Sequence, residues 1–419
     1  MPPREAGDPA RAINVRRNIP LFLADAIGWN LGQSFLSPQT ILPLFIALLS
    51  KSNFLIGLIV AVQSVGQLFP QLFAANLVEH LPVKRRYVVI VGVFLERVPF
   101  LILALAVFWL RTPVLLLGLF FVCWAIANFG TGLNMPPFMA LYAKGMPSER
   151  RGRVSGVGTS AGTLLAVGGA FLATLILERT AGLGAFTWIF LIGFVVLFVS
   201  VLPLGFVDEP HEETPATRRP VSSYLREIPE ILRSNRPFAS YVALQATIQL
   251  AVSATPFITG YAVLKLGATE GSVGLFTATL MAATAAGSLL FGLIADARGY
   301  RRVYVIGSAL ALLLYVLLIA SPSLPLVYAA YFLSGLMMGA VYLGNNMAME
   351  FCKPAKAATY SAIVFTAGAP TRIVGPLVLG VVADALGMPV VFALVAGSAL
   401  LALYLSLFRL REPRTTRIP

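Results

Sequence analysis

Four ionisable residues stand inside long apolar stretches of this chain: Asp25, Glu96, Arg97 and Arg372. A charge near the middle of a membrane-spanning helix costs about 2.5–3.5 kcal/mol on insertion scales, so it faces a partner or a water-filled cavity. A carboxylate in such a cavity can take up and release a proton, and Asp25 and Glu96 are the candidates for that chemistry. Arg372 presents a permanent positive charge. Two acids and two bases also cancel, so mutual pairing is the competing reading. It weighs most for Glu96 and Arg97, neighbours whose side chains leave a helix about 100° apart.

Uncharged polar residues recur every four positions, hence on single helix faces. Gln63, Gln67 and Gln71 form one such stripe, Gln245, Gln249 and Ser253 another, Asp25, Trp29 and Gln33 a third. Trp124 and Asn128 form a shorter one, and Asn345 and Asn346 add two adjacent amides. These groups can line a polar cavity, or they can hydrogen-bond helix to helix, which amides also do in membranes. Trp29 and Trp124 offer flat walls on which a ring or a cation can stack. The arginines together with these walls point to an anionic or amphipathic solute. With only two His and two Cys, neither a metal site nor a histidine proton relay is expected. No Gly-x-x-x-x-Gly-Lys-Ser/Thr sequence is present, so neither ATP nor any other cofactor is called for. Without such constellations, the chain does not read as an enzyme.

The elements that must hold these residues follow from composition. Hydrophobic residues make up 58% of the 419 and charged residues 12%, about half the charge of a soluble protein. Twelve spans are expected, at 18–49, 53–79, 87–110, 113–143, 152–177, 186–207, 237–264, 271–295, 303–320, 325–351, 359–384 and 389–409. Most of the 31 Lys and Arg crowd into the two termini and every second connection, such as Lys84 to Arg86 and Arg150 to Arg153. The other connections hold Lys51, Arg111, Arg179 and Lys265. Basic residues stay on the cytoplasmic side, so both termini are expected there. The net charge of +13 then reflects topology and contact with anionic lipid headgroups rather than nucleic-acid binding. The polar start and long first stretch do not read as a cleavable signal. A bacterial inner or plasma membrane is the expected location.

The expected organisation is a cytoplasmic tail (1–17), a six-helix half (18–207), a central linker (208–236), a second half (237–409) and a closing tail (410–419). Within the linker, Ser222 to Arg233 fits either a short amphipathic helix on the membrane surface or a flexible tether. The halves repeat weakly: Pro147 before the fifth span answers Pro354 before the eleventh, and Ala161-Gly162 answers Ala367-Gly368. Helix breaks or kinks are expected at Pro38 and Pro43, Pro136 and Pro137, Pro256 and Gly260, and around Arg372 at Gly368, Pro370, Gly375 and Pro376.

The connection after the eighth span carries Gly292, Asp296, Gly299, Arg301 and Arg302. This Gly-x-x-x-Asp-x-x-Gly-x-basic-basic stretch resembles the hallmark of the major facilitator superfamily. The copy after the second span is degenerate: Ala75 stands for the first Gly, Glu79 for the Asp and Pro82 for the second Gly, while Lys84 and Arg85 keep the charge. Pro147, Arg151 and Gly152 fit a further element of that family. The resemblance implies an all-α membrane protein of twelve helices in two pseudo-symmetric halves. It implies a secondary transporter, working as a monomer by alternating access on a small solute and driven by a proton gradient. Glu79, Lys84, Arg85, Gly292, Asp296, Gly299, Arg301 and Arg302 then belong to a conformational gate, and Glu350 is expected to join it. The fifth span has Gly168-Gly169 but lacks the Gly-Pro-x-x-Gly-Gly element of drug/proton antiporters. Export of lipophilic compounds, lipid flipping and a non-transporting receptor or regulator remain the alternatives.

Overall fold

The computed structural model describes residues 14–78, 83–110, 112–180, 182–210, 221–320, 323–352 and 357–412, and among them it contains helices and no strand. Eleven helical segments are long and apolar enough to cross a membrane. The remaining crossing, the first, is bent. Its lower part, α1 (Val15–Phe35), carries Arg16, Arg17 and Asp25, and its upper part, α2 (Ile41–Leu49), has only 9 residues. The chain is an integral membrane protein of twelve helical crossings.

The second crossing is α3 (Asn53–Val78). The third joins α4 (Lys84–Val91) through a π-helical turn, Gly92–Arg97, to α5 (Val98–Trp109). The fourth to sixth are α6 (Pro113–Gly145), α7 (Ser148–Arg179) and α8 (Gly184–Val201). A connecting helix, α9 (Val221–Ser234), leads to the seventh crossing, α10 (Arg236–Ser253) with α11 (Thr255–Lys265). The eighth and ninth are α12 (Glu270–Arg298) and α13 (Tyr300–Ala320). The tenth joins α14 (Leu324–Tyr342) to α15 (Gly344–Glu350), and the eleventh α16 (Ala357–Ala367) to α17 (Ala369–Leu386). The last is α18 (Met388–Tyr404).

Breaks fall beside Pro38, at Ala254 before Pro256, and at Gly368 before Pro370. In the fourth crossing α6 runs unbroken through Pro136 and Pro137, as α17 does through Pro376. Neighbouring hydrogen bonds carry the helix past the two missing N–H groups. The break at Leu343 carries no proline signal, whereas the π-turn in the third crossing ends two residues before Pro99. In the linker, α9 buries Ile231, with Ile228 and Leu232, in an apolar cluster containing Phe238 and Phe351. It is thereby docked on the second half rather than tethered loosely.

The repeat is visible in hydrogen bonds. Asn18 in α1 donates to the carbonyl of Gly145 at the end of α6 (2.9 Å), and Asn235 before α10 donates to that of Phe351 at the end of α15 (3.3 Å). Each asparagine begins an Asn-x-Pro sequence, Asn18-Ile19-Pro20 and Asn235-Arg236-Pro237. Glu209, after the sixth crossing, accepts the backbone N–H groups of Lys84 (2.9 Å) and Arg85 (3.0 Å) at the start of α4. Glu412, after the twelfth, accepts that of Arg301 at the start of α13 (2.9 Å). The first N–H groups of a helix lack intrahelical partners and attract negative charge, so each carboxylate caps a helix. These contacts lie at the end of the bundle where the basic connections sit, called here the basic end.

The two halves meet at the opposite, far end. There α3 crosses α17, and α7 crosses α12. A Cβ on Gly57 of α3 would run into the Pro376 carbonyl, and one on Gly274 of α12 into Thr174 of α7. Bare backbone is what lets these helices touch. The Asp384 carboxylate of α17 accepts from the backbone N–H groups of Asn53 (2.8 Å) and Phe54 (3.1 Å) and from the Ser52 hydroxyl (2.9 Å). Deeper in, Thr40 and Thr277 share a hydroxyl bond, and Thr259 and Tyr331 both donate to the Gln39 carbonyl.

Candidate functional site

Toward the basic end the halves part. On α7, Gly152 and Gly156 face open space, as does Gly292 on α12, although α7 and α12 touch through Gly274 at the far end. Two adjoining cavities fill the gap. The seam cavity, of about 440 Å³, draws Gln63 and Gln67 from the first half and Gln245, Gln249, Phe365 and Arg372 from the second. The second cavity, of about 650 Å³, lies almost wholly in the first half, against Asp25, Trp29, Gln71, Glu96 and Arg97. Gln67 and Phe365 belong to both walls.

The π-turn accounts for the acid–base pair. Its wider turn presents Glu96 and Arg97 side by side, and Arg97 Nη1 reaches Glu96 Oε2 at 2.8 Å. Arg97 also donates through Nε to the Leu197 carbonyl (2.6 Å) and through Nη1 to that of Gly92 (2.8 Å). Its guanidinium lies 5.6 Å from the Trp29 ring centroid. Arg97 is 2% exposed, so this pairing offsets a large desolvation cost. Asp25 lies at the same cavity, 8% exposed, in the field of Glu96 and Arg97 but hydrogen-bonded to neither.

Arg372 is arranged differently. It donates through Nη2 to the Phe365 carbonyl one helical break away (2.6 Å), and its guanidinium lies over the Phe365 ring at 4.1 Å. Its Nε is buried without a hydrogen-bond partner. Among the described residues no carboxylate comes within ion-pair distance of it. The break at Gly368, between α16 and α17, lies between the two residues.

Several residues expected at a cavity sit elsewhere. Trp124 is buried in the first half and donates its indole N–H to the Ile59 carbonyl (2.9 Å), outside both walls. Asn128 is buried beside it, donating to the Trp124 carbonyl (2.8 Å) and accepting from Gln67 (3.1 Å). Here the amides link helices, the alternative use. Gln33 lines neither cavity, and Asn346 is exposed at the start of α15. The side chain of Asn345 lies outside what is described, as does Glu79 of the expected gate.

The other residues expected in the gate cluster at the basic end. Lys84 and Arg85 begin α4 under Glu209, with Arg85 Nη1 also on the Val207 carbonyl (2.8 Å). Gly299 turns between α12 and α13 with φ +84, a left-handed conformation that favours glycine. Arg301 donates to the Ser406 and Leu407 carbonyls. Asp296, Arg302 and Glu350 are exposed there. The sequence reading missed Glu209 and Glu412 as helix caps. Their signal was present, since Glu209-Pro210 and Glu412-Pro413 close the two halves in the same way.

Two repeated six-helix halves, sealed together at one end and enclosing a polar cavity on their shared seam, define a transporter-type membrane fold. The family model of the Major Facilitator Superfamily matches residues 20–264 and 242–419, and the chain belongs to that superfamily. Among solved structures it is similar to a POT family transporter in complex with 5-aminolevulinic acid (14% identity, TM-score 0.74, covering 96% of this chain and 97% of that one). It is also similar to the nucleoside transporter NupG (13%, TM-score 0.64, 94% and 98%). The xylose transporter XylE from E. coli, in a partially occluded inward open conformation, is a third (12%, TM-score 0.67, 95% and 100%). At such identities the likeness is one of fold. No curated protein matches the sequence.

Proposed function

We propose that this protein is a secondary active transporter that carries a small organic solute by alternating access, coupled to protons. The observation that supports this best is the seam cavity: both halves supply its polar wall, below a sealed far end and an open basic end. With basic residues inside, the basic end faces the cytoplasm and the arrangement is inward-facing. The complementary state opens the far end and closes α7 on α12, so that one site meets either side in turn. Asp25, unbonded at the adjoining cavity, is the proton carrier in this reading.

The test works without the solute being identified first. Cysteines replace Ser52 and Asp384, which lie within hydrogen-bonding distance across the far-end seam, in a chain whose Cys123 and Cys352 have been replaced by Ser. Proteoliposomes are then screened with a panel of sugars, nucleosides, organic acids and amines under an imposed proton gradient. Transport predicts flux of at least one solute that stops on oxidation and returns on reduction. A panel in which nothing moves in a disulfide-sensitive way would remove the transport reading.

A further inference from the structure

We propose that the seam cavity selects an organic monoanion with a flat apolar body, its carboxylate-type group held by Arg372. This rests on the transport reading above and names the substrate class of that site. Among the described residues Arg372 is the sole charged one in the seam wall, which gives the cavity a positive charge. A guanidinium offers five N–H donors, and a carboxylate takes two of them in parallel. Arg372 falls well short of that capacity. It holds one carbonyl, its Nε is orphaned, and its face rests on a ring. Leaving a buried donor unmade is costly, and an entering anion supplies what is missing.

The rest of the wall fits the same class. Gln63 and Gln249 bring amide N–H donors to the same wall, while Gln67 already donates to Asn128 and Gln245 keeps an unpartnered carbonyl oxygen. Phe365, Pro256 and Val252 give apolar surface for a ring or short chain. Neutral polar solutes would use the amides but leave Arg372 uncompensated. Cations would meet it as a like charge. The adjoining cavity works in the same direction. It holds Asp25 and the Glu96–Arg97 pair, so whenever Asp25 is deprotonated a negative charge there keeps an anion on the seam side. Moving Arg372 off the Phe365 carbonyl to grip the anion would also load the break at Gly368, the joint between α16 and α17.

The experiment measures thermal stabilisation of the purified full chain by matched pairs: benzoate and benzamide, salicylate and salicylamide, indole-3-acetate and indole-3-acetamide, with benzylamine as the cation. A ligand that binds the folded state raises its melting temperature by mass action. At least one acid should bind ten times or more tighter than its amide, and benzylamine should not bind. Arg372→Gln should erase the acid-over-amide preference, and Arg372→Lys should keep part of it. The proposal is overturned if acids and amides bind alike, if the amine is preferred, if no acid binds, or if the preference survives Arg372→Gln. The acid–amide comparison on the native chain stands even if the variants do not fold. Should no acid bind while another solute shows disulfide-sensitive flux, the anion assignment fails and the transport reading survives.

Discussion

Asp384 holds the backbone of Asn53: the carboxylate at the end of α17 accepts that residue's N–H at 2.8 Å and so caps α3 across the boundary between the halves. Further bonds from Phe54 and Ser52 make it a latch on the far end. Asp384→Ala leaves the first N–H groups of α3 to water. Because the site is exposed, a loss of about 1–2 kcal/mol is expected, a five- to thirtyfold shift toward the far-end-open state. Distance measurements between spin labels at Lys51→Cys and Leu386→Cys should show a longer population growing in the variant. An unchanged distribution would mean that helix packing alone keeps the end shut.

Glycines on the two crossing pairs should respond in opposite ways. Gly57→Val and Gly274→Val push side chains into Pro376 and Thr174, and overpacking of this kind costs about 1–3 kcal/mol. Both should weaken the far-end closure in the spin-label measurement. Gly292→Leu meets open space, so the melting temperature should hold. Turnover should nevertheless fall tenfold or more, because closing the basic end needs α12 to approach α7. Undiminished flux in Gly292→Leu would show that these helices do not converge there.

Glu209 and Glu412 should matter to stability and not to solute affinity. Replacing either by Gln removes a charge from a helix N-terminus, with an expected loss of about 1–2 kcal/mol. Chemical denaturation of the single variants and of the double variant checks this. Losses that add indicate separate caps in separate halves.

The pair Glu96–Arg97 and the residue Asp25 should separate scaffold from coupling. Glu96→Gln strands a buried guanidinium, for which about 3–5 kcal/mol of destabilisation is typical. The double change Glu96→Gln with Arg97→Met should recover much of it. Asp25→Asn removes a carboxylate with no hydrogen bond to lose, so the fold should be retained. Uphill accumulation under a proton gradient should then vanish while solute exchange continues. Accumulation that persists in Asp25→Asn would remove this residue as proton carrier.

Much of the fold was legible because membranes impose few choices. Apolar length and the alternation of basic connections lead directly to twelve crossings. Only the first, diluted by Arg16, Arg17 and Asp25, departs from the simple pattern. Four-residue spacing grouped glutamines that share a cavity wall, Gln63 with Gln67 and Gln245 with Gln249, while Gln71 of the first stripe lines the other cavity. Spacing could not separate Trp124 and Asn128, whose face meets α3, from residues whose face meets the gap, because both faces are polar stripes on buried helices. Nor could it foresee the π-turn that sets Glu96 against Arg97: Pro99 follows two residues later, but a proline does not by itself specify a widened turn. For the caps Glu209 and Glu412 the repeated Glu-Pro was visible, but it does not name their partners, which are backbone N–H groups more than a hundred residues away.

Gln67 and Phe365 stand in the walls of both cavities. A solute that shifts the Phe365 ring therefore reshapes the compartment that holds Asp25. Binding equilibria linked through a shared wall obey reciprocity: the factor by which the solute alters proton affinity equals the factor by which the proton alters solute affinity. Titrating solute binding against pH and titrating protonation against solute would then yield one coupling constant, read twice from opposite sides of the same aromatic ring.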